Sequence, residues 1–133
     1  MDLDESLAVP VTGDPSALAF RTFLAVAERL ALPVRERLAL LGIAKSTYTV
    51  WLKRLEERDL KEVDGDKVDR MAYVLGIYEL AGRVFPDGVA WLTRANQAPV
   101  FGGLRPLDRM LAGRIEDLLE TLGYLKSAAG GWA

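Results

Sequence analysis

The chain has 133 residues, half of them hydrophobic, a net charge of −2, and neither cysteine nor histidine. That length supports one compact domain or two small helical halves sharing a core. Disulfides, thiolate zinc sites, and Ser-His or Cys-His nucleophile pairs are excluded, so an enzyme would depend on carboxylate or lysine chemistry.

No apolar run approaches the ~20 residues of a membrane span. Met1 to Glu5 carries acids and no base, the reverse of a secretory leader. The expectation is a cytoplasmic protein with no membrane association. Charge is unevenly spread. Residues 1–20 hold four acids and no base, residues 21–55 seven bases against two acids, and residues 56–133 ten bases against thirteen acids. A basic third within an acidic chain can meet nucleic acid, because the local field governs contact. Ordinary solvated helix surface is the alternative.

Residues 1–13, with Pro10 and Gly13, show no period and read as a flexible N-terminal arm. Asp14-Pro15 has the form of an N-cap followed by proline at the first helical position. Leu18, Phe20, Phe23, Leu24, Ala27, Leu30 and Ala31 then recur at helical spacing, which predicts a helix from Pro15 to Leu32. A second helix runs from Pro33 to Leu41 and stops at Gly42. Ser46 is positioned to cap a third, which extends to about Arg58. A fourth spans about Asp66 to Phe85, with Val68, Met71, Ala72, Leu75, Tyr78, Leu80 and Val84 as core candidates.

Pro86-Asp87 opens a short helix carrying Val89, Trp91 and Leu92. A loop covers Asn96 to Arg105, and Pro106 opens another short helix through Leu111. The last helix runs from Arg114 to about Leu125, with Ile115, Leu118, Leu119, Leu122 and Leu125 on one side. No segment alternates apolar and polar residues for long. The predicted fold is all-α with seven helices: a helix-turn-helix bundle over 14–65 followed by a small helical domain over 66–133.

Leu38 to Leu52 has the anatomy of a helix-turn-helix. A first helix ends at Leu41-Gly42, Ile43 is an apolar plug, and Val50, Trp51 or Leu52 anchors the second helix. DNA-binding candidates are Arg35 and Arg37 on the first helix, and Lys45, Ser46, Thr47, Tyr48, Thr49, Lys53 and Arg54 on the second. Hydroxyls and cations reach phosphates and base edges, and the start of a recognition helix enters the major groove. The same geometry also serves purely as packing. Residues 45–49 lack Asn, Gln and Arg, so bidentate base readout is weakly supported.

Other clusters fit bland explanations. Asp64, Asp66 and Asp69 lack the remaining ligands of a calcium loop and suit turn and cap chemistry. Glu116, Asp117 and Glu120 read as a solvated helix surface paired with neighbouring bases. No glycine-rich phosphate loop occurs. No metal, cofactor or catalytic role is expected.

Near the end stands Phe101-Gly102-Gly103-Leu104-Arg105-Pro106-Leu107-Asp108-Arg109-Met110-Leu111, preceded by Trp91-Leu92. This run resembles the C-terminal toxin-binding domain of Xre/MbcA/ParS-type antitoxins, in which a Phe-Gly-Gly-x-x-Pro-Leu-Asp-x-Leu pattern recurs. The Leu-Leu-Gly to Trp51 stretch is similar to the helix-turn-helix preceding that domain. Arg105 departs from the small polar residue common before the proline.

The resemblance implies an antitoxin of a type II toxin–antitoxin pair. Its partner would be a RES-fold toxin that consumes NAD or transfers ADP-ribose. It further implies a homodimer on palindromic operator DNA, autoregulating its operon. The tail Gly130, Gly131, Trp132 and Ala133 is the toxin-binding candidate: a slim glycine lead, an aromatic anchor and a carboxylate to enter the toxin's active-site groove. Trp132 folding back onto the chain's own surface is the competing arrangement. A stand-alone helix-turn-helix regulator and an interaction module without DNA contact are the other functional readings.

Overall fold

The computed structural model describes residues 14–130, all-helical, with no strand among them. Seven helices follow in order: α1 Ser16–Arg29, α2 Val34–Leu41, α3 Lys45–Glu56, α4 Gly65–Val84, α5 Gly88–Thr93, α6 Pro106–Met110 and α7 Ile115–Ala128. None is long and apolar enough to cross a membrane. The expected N-terminal arm lies outside the described residues.

The start of α1 is held by side chains on both sides of Pro15. Asp14 accepts hydrogen bonds from Ser16 N (2.8 Å) and Glu62 N (2.6 Å), and Ser16 Oγ accepts one from Val63 N (2.9 Å). The bonds to Ser16 and Glu62 hold the Asp14 carboxyl below its usual range. They also tie the first helix to the linker that leads into α4.

α4 is the axis of the molecule, packing against α1, α2, α5 and α7. Its buried residues are Met71, Val74, Ile77, Leu80 and Ala81. Of the core candidates, Met71 and Leu80 are buried, Val68, Leu75, Tyr78 and Val84 are partly buried, and Ala72 is exposed, so the packed face is turned from the apolar stripe in the sequence. The cause is that α4 has neighbours on several sides, which blurs a single apolar face. One continuous core runs from Phe20 and Phe23 on α1 through Leu40 and Leu41, Met71 and Ile77, to Leu118 and Leu125 on α7. The segments 14–65 and 66–130 therefore share one interior.

Arg70 locks the two segments together. Its guanidinium donates to Leu40 O (3.3 Å) and Gly113 O (2.9 Å), and its Nε pairs with Asp66 (3.3 Å). Lys67 Nζ donates to Gly42 O (3.0 Å). Two cations thus complement the carbonyl end of α2.

Gly88 lies where α5 crosses the end of α4. A Cβ there would stand 2.7–2.8 Å from the backbone of Ala81 and Gly82. Because backbone cannot step aside like a side-chain tip, Gly88→Ala is expected to destabilise the fold by about 1–3 kcal/mol. A urea midpoint unchanged from the parent would contradict this contact.

Candidate nucleic-acid and partner-binding surfaces

α2 and α3 are joined by three residues, Gly42-Ile43-Ala44. Gly42 takes a left-handed conformation (φ 67°, ψ 39°) and its N–H bonds to Leu38 O (2.7 Å), so the helix ends where glycine permits the reversal. The residue preceding α3 is Ala44, and no side chain caps that helix. Ser46 sits inside the first turn, exposed, rather than at the cap.

The buried side of α3 is Tyr48 with Trp51 and Leu55 partly enclosed. The rings of Tyr48 and Trp51 meet Phe20 edge-on, at centroid distances of 5.9 and 5.4 Å. Of the three expected anchors only Trp51 packs inward. Val50 and Leu52 are exposed, at 44% and 39%.

The DNA-binding candidates divide into two groups. Tyr48 is interior, 4% exposed, with its hydroxyl 3.3 Å from Arg37 Nη1. Arg37 also donates to Leu32 O (2.9 Å) and pairs with Glu28 (3.2 Å). Both are committed to packing α3 onto α1 and α2, and Thr47 is half-buried beside them. Arg35, Lys45, Ser46, Thr49, Lys53 and Arg54 are exposed. Neither Lys45, Lys53 nor Arg54 pairs with a carboxylate of another described residue. These three cations, with the hydroxyl of Ser46, define an outward basic face.

The C-terminal segment is built around an aromatic cluster. Trp91 stacks on Phe85 (5.0 Å, 12°) and on Tyr124 (6.0 Å, 16°), and Phe101 meets both Trp91 and Tyr124 edge-on. Trp91 and Phe101 are 6% and 3% exposed, so both large apolar groups beside the loops belong to the core.

The loop carrying Phe101 closes on itself. Gly103 N donates to Asn96 O (2.8 Å) and Asn96 N to Leu104 O (2.9 Å), while Gly102 and Gly103 both take positive φ. Arg105 and Asp108 then form a reciprocal pair at the start of α6. The guanidinium reaches Asp108 at 2.6 Å, and Asp108 accepts from Arg105 N at 3.0 Å. The Arg105 bond holds the Asp108 carboxyl below its usual range. Arg105 thus braces the turn at the start of α6.

Asp117 was not legible as a structural residue. It lies 1% exposed at the first turn of α7. Arg109 Nε donates to it at 2.9 Å, and Arg114 donates through Nε and Nη2 at 3.2 and 3.3 Å. Arg109 continues to Val100 O (2.9 Å) and to Glu120. Burial alone would raise the Asp117 pKa, but the Arg114 hydrogen bonds and both positive charges outweigh it and hold the carboxyl low. The expectation of a solvated acidic patch is corrected at this residue, while Glu116 and Glu120 are exposed as anticipated.

Of the toxin-binding candidates, Gly130 is described, exposed, with φ 87°. Gly131, Trp132 and Ala133 lie outside the described residues. Among the described residues no group of His, Cys, Asp and Glu is arranged to hold a metal ion.

These features define an all-α protein with a helix-turn-helix segment and a braced C-terminal loop-and-helix unit. The chain is similar to an uncharacterized protein, y4oB of Sinorhizobium fredii (strain NBRC 101917 / NGR234), at 29% identity over 113 residues, 82% of either chain. Neither a protein-family model nor a solved structure matches the chain.

Proposed function

We propose that this chain is the antitoxin of a type II toxin–antitoxin pair, binding operator DNA through α3 and a RES-type toxin through its C-terminal segment and tail. The supporting observation is the joining of two features through one core. The first is a helix-turn-helix with an outward face of cations that pair with no carboxylate among the described residues. The second is a braced Phe-Gly-Gly to Pro-Leu-Asp unit placed next to the helix that leads into the tail. Such a rigid connection would let toxin engagement and operator binding occur on one particle. A homodimer would present two α3 helices to the half-sites of a palindrome.

The toxin proposed by resemblance consumes NAD or transfers ADP-ribose, and the tail would block its active site sterically. Deleting residues 130–133 should weaken neutralisation while leaving the far-UV spectrum and DNA binding intact. Full neutralisation by the shortened chain would refute the tail assignment. Co-expression with the product of the neighbouring reading frame tests the whole proposal. Rescue of growth with a co-purifying complex is expected; absence of both toxicity and complex would defeat it.

A second reading, a stand-alone helix-turn-helix regulator, is favoured by one observation. Trp91 and Phe101 are buried, so neither aromatic near the C-terminal loops offers an exposed anchor for a partner. Both readings share the DNA face. Replacing Lys45, Lys53 and Arg54 together by alanine should weaken duplex binding. It should also flatten the salt dependence by up to about 0.9 in the log–log slope for each lost phosphate contact. An unchanged slope in a filter-binding titration would exclude α3 as the contact.

A further inference from the structure

The outward face of α3 carries an unusual combination of groups. At 100° per residue, Tyr48, Trp51 and Leu55 fall within roughly 60° of one another on the packed side. Ser46, Thr49, Val50 and Lys53 occupy the opposite side, and all four are exposed. Val50 is 44% exposed and helps no core. As a β-branched residue it has one preferred rotamer in a helix, so its two methyl groups project in a fixed direction. Thr49 donates its hydroxyl to Lys45 O (3.1 Å), one turn back on its own helix. That occupies its donor, leaving the methyl group and the oxygen's acceptor capacity to a ligand. The face therefore has Ser46 and Lys53 along its middle line, the methyl groups of Thr49 and Val50 to either side of that line, and Lys45 and Arg54 at its two edges.

The charges decide what such a face can meet. A second copy presenting the same face would bring like cations together, which is unfavourable. The complementary partner is anionic at its edges and offers small apolar projections between them. The major groove of duplex DNA has that form, with phosphates on both rims and the C5-methyl of thymine as its apolar feature. Glu57 follows Lys53 by one turn on the same side, which suits the end of the helix leaving the groove.

Resting on the DNA-binding reading above, we propose that α3 reads the 5-methyl groups of thymine, with Val50 as the principal contact and Thr49 beside it. Lys45, Lys53 and Arg54 supply affinity by holding phosphates, and the methyl contacts supply selectivity. This arrangement does not need the Asn, Gln or Arg that bidentate readout would require between residues 45 and 50. The resulting preference is shallow, because each methyl group removed from water contributes about a fourfold change in affinity.

The test uses the full chain and a pool of random duplexes from which bound sequences are enriched. In the enriched site each thymine is replaced in turn by uracil, which removes the methyl group and keeps the hydrogen-bonding edge. The expected result is an affinity loss of about fourfold at one or two positions in each half-site, with the loss at the position Val50 contacts abolished or reduced for Val50→Ala. The variant changes an exposed side chain and leaves the core untouched. Uracil binding as tightly as thymine everywhere, with salt-dependent and sequence-selective binding retained, would overturn thymine readout and spare the DNA-binding reading. A Val50→Ala protein that keeps the full uracil penalty would overturn the assignment to Val50. Failure to bind any duplex in a salt-dependent way would overturn both.

Discussion

Replacing Trp91 by alanine is expected to lower the free energy of unfolding by about 3–5 kcal/mol, a large fraction of what a domain of this size possesses. The indole sits between Phe85 and Tyr124 with Phe101 on its edge, so its removal strips a face from three other rings at once. Each of those rings belongs to a different element: the end of α4, α7 and the closed loop. The cavity cannot refill without moving all three. Trp91→Phe keeps a stacked ring and should cost less than the alanine change.

The more informative readout is at a distance. In a Trp132→Phe background, Trp51 of α3 becomes the sole remaining tryptophan once Trp91 is gone. Trp51 packs on Phe20, and Phe20 belongs to the same continuous core as Trp91. Its fluorescence midpoint in urea should therefore fall together with the circular-dichroism midpoint. A Trp51 transition left at the parental midpoint would mean that residues 14–65 unfold as a separate unit, contrary to the single core described above.

The class of fold was legible because the punctuation is strong. Pro15, Pro33 and Pro106 lie at helix starts, and Gly42 and Gly113 lie at stops with positive φ. What the pattern could not supply was the rotation of each helix about its axis. α3 has mild apolar contrast, and Val50, Trp51 and Leu52 stand side by side in sequence while occupying different faces. Which one packs inward depends on Phe20, a residue on another helix. The same limit placed Tyr48 among the DNA candidates, since a tyrosine at the start of a polar helix gives no local sign of being buried. For α7 the expected stripe included Leu119, which is 44% exposed, whereas Asp117 and Thr121 are buried. That helix is turned by the aromatic cluster that holds Tyr124, whose other rings lie 23 or more residues away in sequence, and by the nearby Arg109 and Arg114 that hold Asp117.

The acid stability of the protein should depend on that buried aspartate. With Asp117→Ala, Arg109 loses its Nε partner and Arg114 loses both of its bonds. The arginines left behind are 29% and 69% exposed and can turn to water, so the expected cost is that of lost charge-assisted hydrogen bonds, about 1.5–3 kcal/mol. The loss is also topological, because Arg109 links Asp117 to Val100 O and so fastens the closed loop and α6 to the first turn of α7. The direction with pH follows from the folded carboxyl being held low. An unfolded aspartate titrates near about 3.9. Above that value the folded and unfolded groups are both ionised, and the stabilisation by the two arginines is fully present. As pH falls from there through the lower folded pKa, the unfolded chain takes up the proton first and the contribution disappears. Asp14, Asp66 and Asp108 are shifted in the same direction and steepen the same window. Urea midpoints of the parent should thus decline on the acid side of about pH 4. The gap between parent and Asp117→Ala should narrow there, as protonation removes from the parent the charge that the mutation had already removed. A gap that stayed constant from neutral pH through that window would show that Asp117 acts through its shape alone and that its charge contributes nothing to holding the C-terminal loop.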